Sequence, residues 1–174
     1  PRQAAERFSI AGPRRRSFIP RMRARPFPLQ EATINGPRSH IWTLEAKDCP
    51  ELAAHQIARV GIDVAHAPYR RVRLCPAGSF FMASLEGQGE MLLEGHWQRV
   101  TPGTLCLAPP RILNALSAVR GQRWVFAWVR YDEPAAIKPL VGAASPLRAK
   151  EGAEQLGRVV AGLRAAGAGR RDPA

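Results

Sequence analysis

Histidine is scarce in this chain, and its spacing excludes more than its number does. The 174 residues hold four, at His40, His55, His66 and His96, with no H-x-H pair and none after Gly103. A zinc or iron site needs three or four clustered His, Asp, Glu or Cys ligands, so no metal and no other cofactor is expected. Cysteine is equally sparse. Cys49, Cys75 and Cys106 are odd in number and form no C-x-x-C pair, which argues against a disulfide framework or zinc knuckle and for reduced thiols in the cytoplasm. No apolar run is long enough to cross a bilayer, and the basic N-terminus lacks the apolar core of a signal peptide. No membrane partner is therefore expected. Ser79, Ser84 and Ser117 stand in no nucleophile-elbow motif, no cysteine has an adjacent histidine, and the chain has only two tyrosines, Tyr69 and Tyr131. Nucleophilic catalysis finds no support, and the chain is not read as an enzyme.

Acidic residues are also in deficit, 14 against 26 Lys and Arg, for a net charge of +12. The excess is not spread evenly. Residues 1–40 carry nine Arg against Glu6 and Glu31, residues 41–135 carry ten basic and nine acidic groups, and residues 136–174 carry seven and three. A barrel that gripped phosphates would hold the charge on its own face. Here the centre is nearly neutral and the flanks are basic, which fits either flanks near an anionic partner or solvated arms with an arginine-rich composition.

What the centre does have is short apolar runs cut by turn residues. Ser79–Glu86 stops at Gly87-Gln88-Gly89, Glu90–Glu94 at Gly95-His96, and Trp97–Val100 at Pro102-Gly103. Thr104–Ala108 ends at Pro109-Pro110, Ala115–Val119 at Arg120-Gly121, and Trp124–Tyr131 closes the series. Runs of this length and punctuation indicate an antiparallel sandwich or barrel. Upstream, Ser39–Leu44, Gly61–Ala67 and Tyr69–Leu74 read as further strands, while Leu52–Val60 is open between helix and strand. In the last strand, period-two alternation puts Trp124, Phe126, Trp128 and Arg130 on one face and Val125, Ala127, Val129 and Tyr131 on the other. An aromatic face of this kind fills a core or lines a cavity.

The ends read differently. Residues 1–37, with Arg14-Arg15-Arg16 and repeated prolines, read as a basic, Pro-rich arm. Residues 38–134 hold the barrel, and residues 135–174 a helical segment. Ser145-Pro146 looks like a helix start running to about Ala166. Leu156, Val159, Val160 and Leu163 form one apolar stripe, expected to pair across a homodimer.

The order Gly87-Gln88-Gly89, then Pro102-Gly103-Thr104-Leu105-Cys106-Leu107-Ala108-Pro109-Pro110, then Trp124 through Tyr131 resembles the N-terminal effector-binding domain of bacterial AraC-type transcriptional regulators. The resemblance covers about Tyr69 to Tyr131. It implies a mainly β fold, a cupin-like double-stranded β-helix barrel (jelly roll) followed by C-terminal helices. It implies a small-molecule effector, dimerisation, and DNA contact only through helix-turn-helix units of a domain not in this chain, which therefore reads as a sensor half. By similarity to the arabinose-responsive member, Arg73 and Trp128 fall on its sugar-binding Arg and stacking Trp. Leu116 and Phe126 replace its pocket Tyr and His, and Asn114 stands near a position where the family often has His. Thr104 stands where the family usually has Asp. The resemblance thus implies a barrel without cupin metal chemistry and with fewer polar pocket groups, suited to a sugar or a less polar metabolite. The alternatives are a metal-free cupin enzyme of the isomerase or epimerase class and a ligand-free dimerisation scaffold.

Overall fold

A computed structural model describes residues 29–169, and the basic arm's Arg14-Arg15-Arg16 and the tail from Arg170 lie outside them. The described residues form eleven strands and two helices in the order β1 (Ala32–Ile34), β2 (His40–Glu45), α1 (Pro50–Ala54), β3 (Ile57–His66), β4 (Arg70–Arg73), β5 (Phe80–Gly87), β6 (Gly89–Leu93), β7 (His96–Val100), β8 (Leu105–Ala108), β9 (Asn114–Ala118), β10 (Arg123–Tyr131), β11 (Leu147–Ala149) and α2 (Ala153–Gly169). They build two antiparallel sheets, β1-β4-β9-β6-β7 and β11-β8-β5-β10-β3-β2. This is a mainly β, cupin-like barrel closed by a C-terminal helix. Leu52–Val60, left open from periodicity, divides into α1 and the start of β3.

The alternation of β10 explains the layering. Trp124 and Phe126 point between the sheets with Met82 and Cys106 of β5 and β8, facing Met91, Leu93 and Leu116 of the opposite sheet. Val125, Ala127 and Val129 point the other way and join Val60 and Ile62 in a second apolar layer. The six-stranded sheet is thus apolar on both faces and needs cover on its outside. That cover comes from Leu52 of α1 and from Leu156, Val160 and Leu163 of α2. Gly157 brings α2 close, since a Cβ there would meet Leu85 at 2.6 Å.

Three expectations are corrected. The barrel begins before residue 38: Ala32–Ile34, assigned to the arm, pairs with β4 through Ala32↔Val72 and Ile34↔Arg70. Ser145-Pro146 does not start the helix. Leu147–Ala149 instead pairs with β8, covering an edge that would otherwise expose its backbone groups, and α2 begins after Gly152, whose φ is +98°. The stripe Leu156, Val159, Val160 and Leu163 is not a free dimer face. Val160 is fully buried and Leu156 and Leu163 pack on their own barrel, while Val159 points outward at 55% exposure. The outer face of the six-stranded sheet is apolar, and the helix buries its stripe there. The surface pair expected of Glu154 and Arg158 is present at 3.0 Å. No helix among the described residues is long and apolar enough to cross a membrane.

Candidate functional site

At one end of the barrel the two sheets do not close on each other. A cavity of about 210 Å³, open on one side, lies between them. Its walls come from the inward positions of six strands: Thr33 of β1, Ile41 and Thr43 of β2, Arg59 and Asp63 of β3, Arg71 and Arg73 of β4, Asn114 and Leu116 of β9, and Phe126, Trp128 and Arg130 of β10. Phe80, at the start of β5, and Tyr69, just before β4, complete it.

Asp63 is the hub. It is 2% exposed, and a carboxylate so placed must be hydrogen-bonded. Tyr69 donates its hydroxyl hydrogen to Oδ2 at 2.5 Å, and the Trp128 indole N–H donates to Oδ1 at 2.8 Å. Arg71 lies 4.0 Å from Oδ2 and stacks its guanidinium 4.2 Å from the Tyr69 ring centroid. Burial pushes the Asp63 carboxyl above its ordinary range, while the bonds from Tyr69 and Trp128 and the charge of Arg71 pull it back. Burial, and then Asp63 itself, push the Tyr69 phenol up as well. The indole of Trp128 is fixed from two directions. Its N–H is held by Asp63, and its ring lies over Gly61, where a Cβ would come within 2.4 Å of Cζ2. Phe80 flanks it with ring centroids 6.3 Å apart.

Four arginines share the cavity wall with this buried carboxylate. Arg71 is tied to the carbonyl of Ile34 at 2.7 Å and to Asn35 Oδ1 at 2.7 Å. Arg73 donates to Thr33 Oγ1 at 2.8 Å and to the carbonyl of Ala32 at 3.1 Å, and meets Glu31 at 3.5 Å. Arg59 and Arg130 are cross-strand partners in the β3–β10 register. Burial first, then the charges of Arg59 and Arg73, lower the Arg130 guanidinium to about 10, while Glu31 opposes them. On the other sheet Asn114 is 4% exposed, and its amide oxygen is buried without a hydrogen-bond partner.

All five residues carried over by resemblance, Arg73, Asn114, Leu116, Phe126 and Trp128, line this cavity. The expectation of a less polar pocket is corrected. Leu116 and Phe126 do replace polar groups, but Arg59, Asp63, Tyr69, Arg71 and Arg130 supply others from β3, β4 and β10. Arg130 was already visible on the aromatic face of its strand. Arg59 and Asp63 were missed: the alternation Arg59-Gly61-Asp63-Ala65 puts them on one face of β3 but does not say that this face is the inner one. Among the described residues no group of three His, Cys, Asp or Glu side chains converges.

The family model of the AraC-like ligand binding domain matches residues 78–172. No curated protein matches the chain. Among solved structures it is similar to the polyketide cyclase RemF from Streptomyces resistomycificus, at 15% identity over 64% of this chain and 77% of that one, with a TM-score of 0.46. It is also similar to the Cupin_2 domain of an XRE family transcriptional regulator from Enterobacter cloacae, at 13% identity over 55% and 98%, TM-score 0.45. A cupin-like protein from Thermotoga maritima gives 13% identity over 67% and 92%, TM-score 0.46.

Proposed function

The chain belongs to the AraC-like ligand-binding domain family, and from that premise we propose that the cavity at the Trp128 end receives a small-molecule effector that controls DNA binding by a separate helix-turn-helix domain. One observation carries the reading. The cavity wall combines an oriented aromatic platform, Trp128 clamped by Asp63 over Gly61, with a buried polar atom, Asn114 Oδ1, that has no partner of its own. Pre-formed clefts with an apolar floor and a few convergent polar groups are where small ligands bind. Clamping Trp128 in advance lowers the ordering cost that a ligand would otherwise meet.

The effector signal would leave the cavity through β10. Its inward residues touch the cavity and its outward residues Val125, Ala127 and Val129 pack against the layer that includes α2. A homodimer belongs to this reading. Because the inner stripe of α2 is buried, its contact is to be sought on the outward face, around Val159. The test is titration calorimetry of the chain against a library of small metabolites, beside Trp128→Ala. Binding by the wild type that the variant lacks, with the variant's fold retained, supports the reading. Equal binding by both refutes it.

A second reading has its own observation. A metal-free cupin enzyme would need an acid–base pair in the barrel, and Tyr69 and Asp63 are such a pair, 2.5 Å apart on the cavity wall. The Tyr69 phenol is pushed up rather than down, which suits a structural donor better than a proton shuttle working near neutral pH. Tyr69→Phe separates the two: it should leave effector binding measurable, whereas an enzyme would lose turnover.

A further inference from the structure

We propose that the effector is a small organic acid whose carboxylate is taken by Arg59 and Arg130, with a flat apolar body lying against Trp128 and Phe80. The proposal rests on the effector reading above and names the class of molecule that reading leaves open.

The charge pattern of the cavity is unbalanced in one place. Arg59 and Arg130 stand directly opposite each other on adjacent strands, and both line the cavity. Like charges at directly opposed positions destabilise a sheet, and a guanidinium withdrawn from water needs a counter-charge. The carboxylates nearby are engaged elsewhere: Glu45, opposite Arg59 in the β2–β3 register, pairs with Lys47 at 3.0 Å, and Glu31 acts on Arg130 only through its charge. Both oxygens of Asp63 are engaged by Tyr69 and Trp128, with Arg71 as its nearest cation. Glu31 is held by Arg73 and by the Leu74 backbone N–H, which donates to it at 2.8 Å. Arg130 makes no hydrogen bond or ion pair among the described residues, and the charge of Arg73 reaches it from the opposite sheet.

Such a pair costs stability until an anion arrives. Planar guanidinium forks match a carboxylate in two-point geometry. The rest of the wall narrows the class further. Next to Arg130 the inward positions of β10 are Trp128 and Phe126, with Phe80 beside them on β5 and Leu116 facing them from the other sheet. An apolar body attached to the carboxylate is the shape that fits, and a bare inorganic anion would leave that surface wet. The buried Asn114 amide oxygen adds a place for one hydroxyl or amine donor on the ligand.

The experiment compares benzoate, benzamide and phenyl phosphate by calorimetry and thermal melting on the full chain, with Arg59→Met and Arg130→Met beside it. Benzamide has the shape of benzoate without the charge. Benzoate is expected to raise the melting temperature and to bind at least about tenfold tighter than benzamide, the value of one charge-assisted contact. Each variant is expected to lose that preference while melting, without probe, at or above the wild-type temperature, because the opposed charges are gone. A merely structural arginine would lower melting instead. Should a Met variant fail to fold, Arg130→Lys, which keeps the charge but not the fork, is expected to bind benzoate more weakly than wild type and still prefer it to benzamide. Equal binding of benzoate and benzamide, or a preference that survives both variants, overturns the organic-acid inference and leaves the effector reading standing. Tighter binding of phenyl phosphate overturns the carboxylate assignment alone. No stabilisation by any of the three probes overturns the inference, and the effector reading falls with it only if the metabolite library also shows no binding that depends on Trp128.

Discussion

Trp124 and Trp128 lie four residues apart on β10 and face the same barrel interior, yet their surroundings diverge. Each ring lies over a glycine: a Cβ at Gly89 would come within 2.2 Å of Trp124, and one at Gly61 within 2.4 Å of Trp128. Each indole N–H is bonded, to Ser84 Oγ at 3.0 Å in one case and to Asp63 Oδ1 at 2.8 Å in the other. Around Trp124 the partners are Met82, Met91, Val100 and Cys106, all fully buried. Burial there pushes the Cys106 thiol up to about 12, so it acts as a small apolar filler. Around Trp128 the partners are Asp63, Arg71 and Arg130, which do not close over one another. The same side chain on the same face of one strand is a plug at one end and a platform at the other. What decides is whether the facing strands offer methyl groups or charges.

The largest expected effect lies at the plug. Trp124→Ala should cost about 3–5 kcal/mol, read from the denaturation midpoint, a large part of the stability of an ordinary domain. Trp128→Ala should cost less, about 1–2 kcal/mol, since its ring is already partly wet and solvent can enter the space left behind. Its loss should fall on ligand affinity instead. If the two variants were equally destabilised, the contrast between plug and platform would be gone.

A smaller effect concerns Asp63. Its folded-state pKa is raised above the ordinary 3.8. For an acid, a raised value means that the folded state holds the proton more tightly. The associated stability is present below 3.8 and lost as pH rises through the folded value. Wild-type chain should therefore lose stability over that rise relative to Asp63→Asn, whose profile lacks this contribution. Parallel melting profiles for the two would show that the carboxyl is not strained by burial.

The strands from Ser79 to Tyr131 were legible because each apolar run is bounded by Gly or Pro and because β10 alternates cleanly. β1 was not, since three residues embedded among prolines and arginines carry no period. β11 was hidden behind Ser145-Pro146, which has the local chemistry of a helix start. Alternation put Phe126 and Trp128 on one face of β10, and the family resemblance made that face the inner one. Arg73, Asn114 and Leu116 rested on the family resemblance. Arg59 and Asp63 stayed invisible because a single strand's alternation does not say which face is inner. The bond from Tyr69 to Asp63 joins β3 to the turn after it, and the opposition of Arg59 to Arg130 depends on the pairing of strands far apart in the sequence.

The smallest expected effect on stability comes from α2. Val159→Lys should change folding by less than about 0.5 kcal/mol while weakening any self-association seen in sedimentation. Leu163→Lys should instead unseat the helix and lower the melting temperature. The reverse outcome would restore the inner stripe as the dimer face.

The two ends of the barrel can be watched together in one spectrum. The chain has four tryptophans, and each indole N–H gives its own nitrogen–proton signal, with Trp124 and Trp128 assigned by Phe substitution. On titration with benzoate, the Trp128 signal should move in a saturable way and the Trp124 signal should stay in place. Saturable movement at Trp124, or movement confined to Trp42 and Trp97, would contradict an effector site at the Trp128 end.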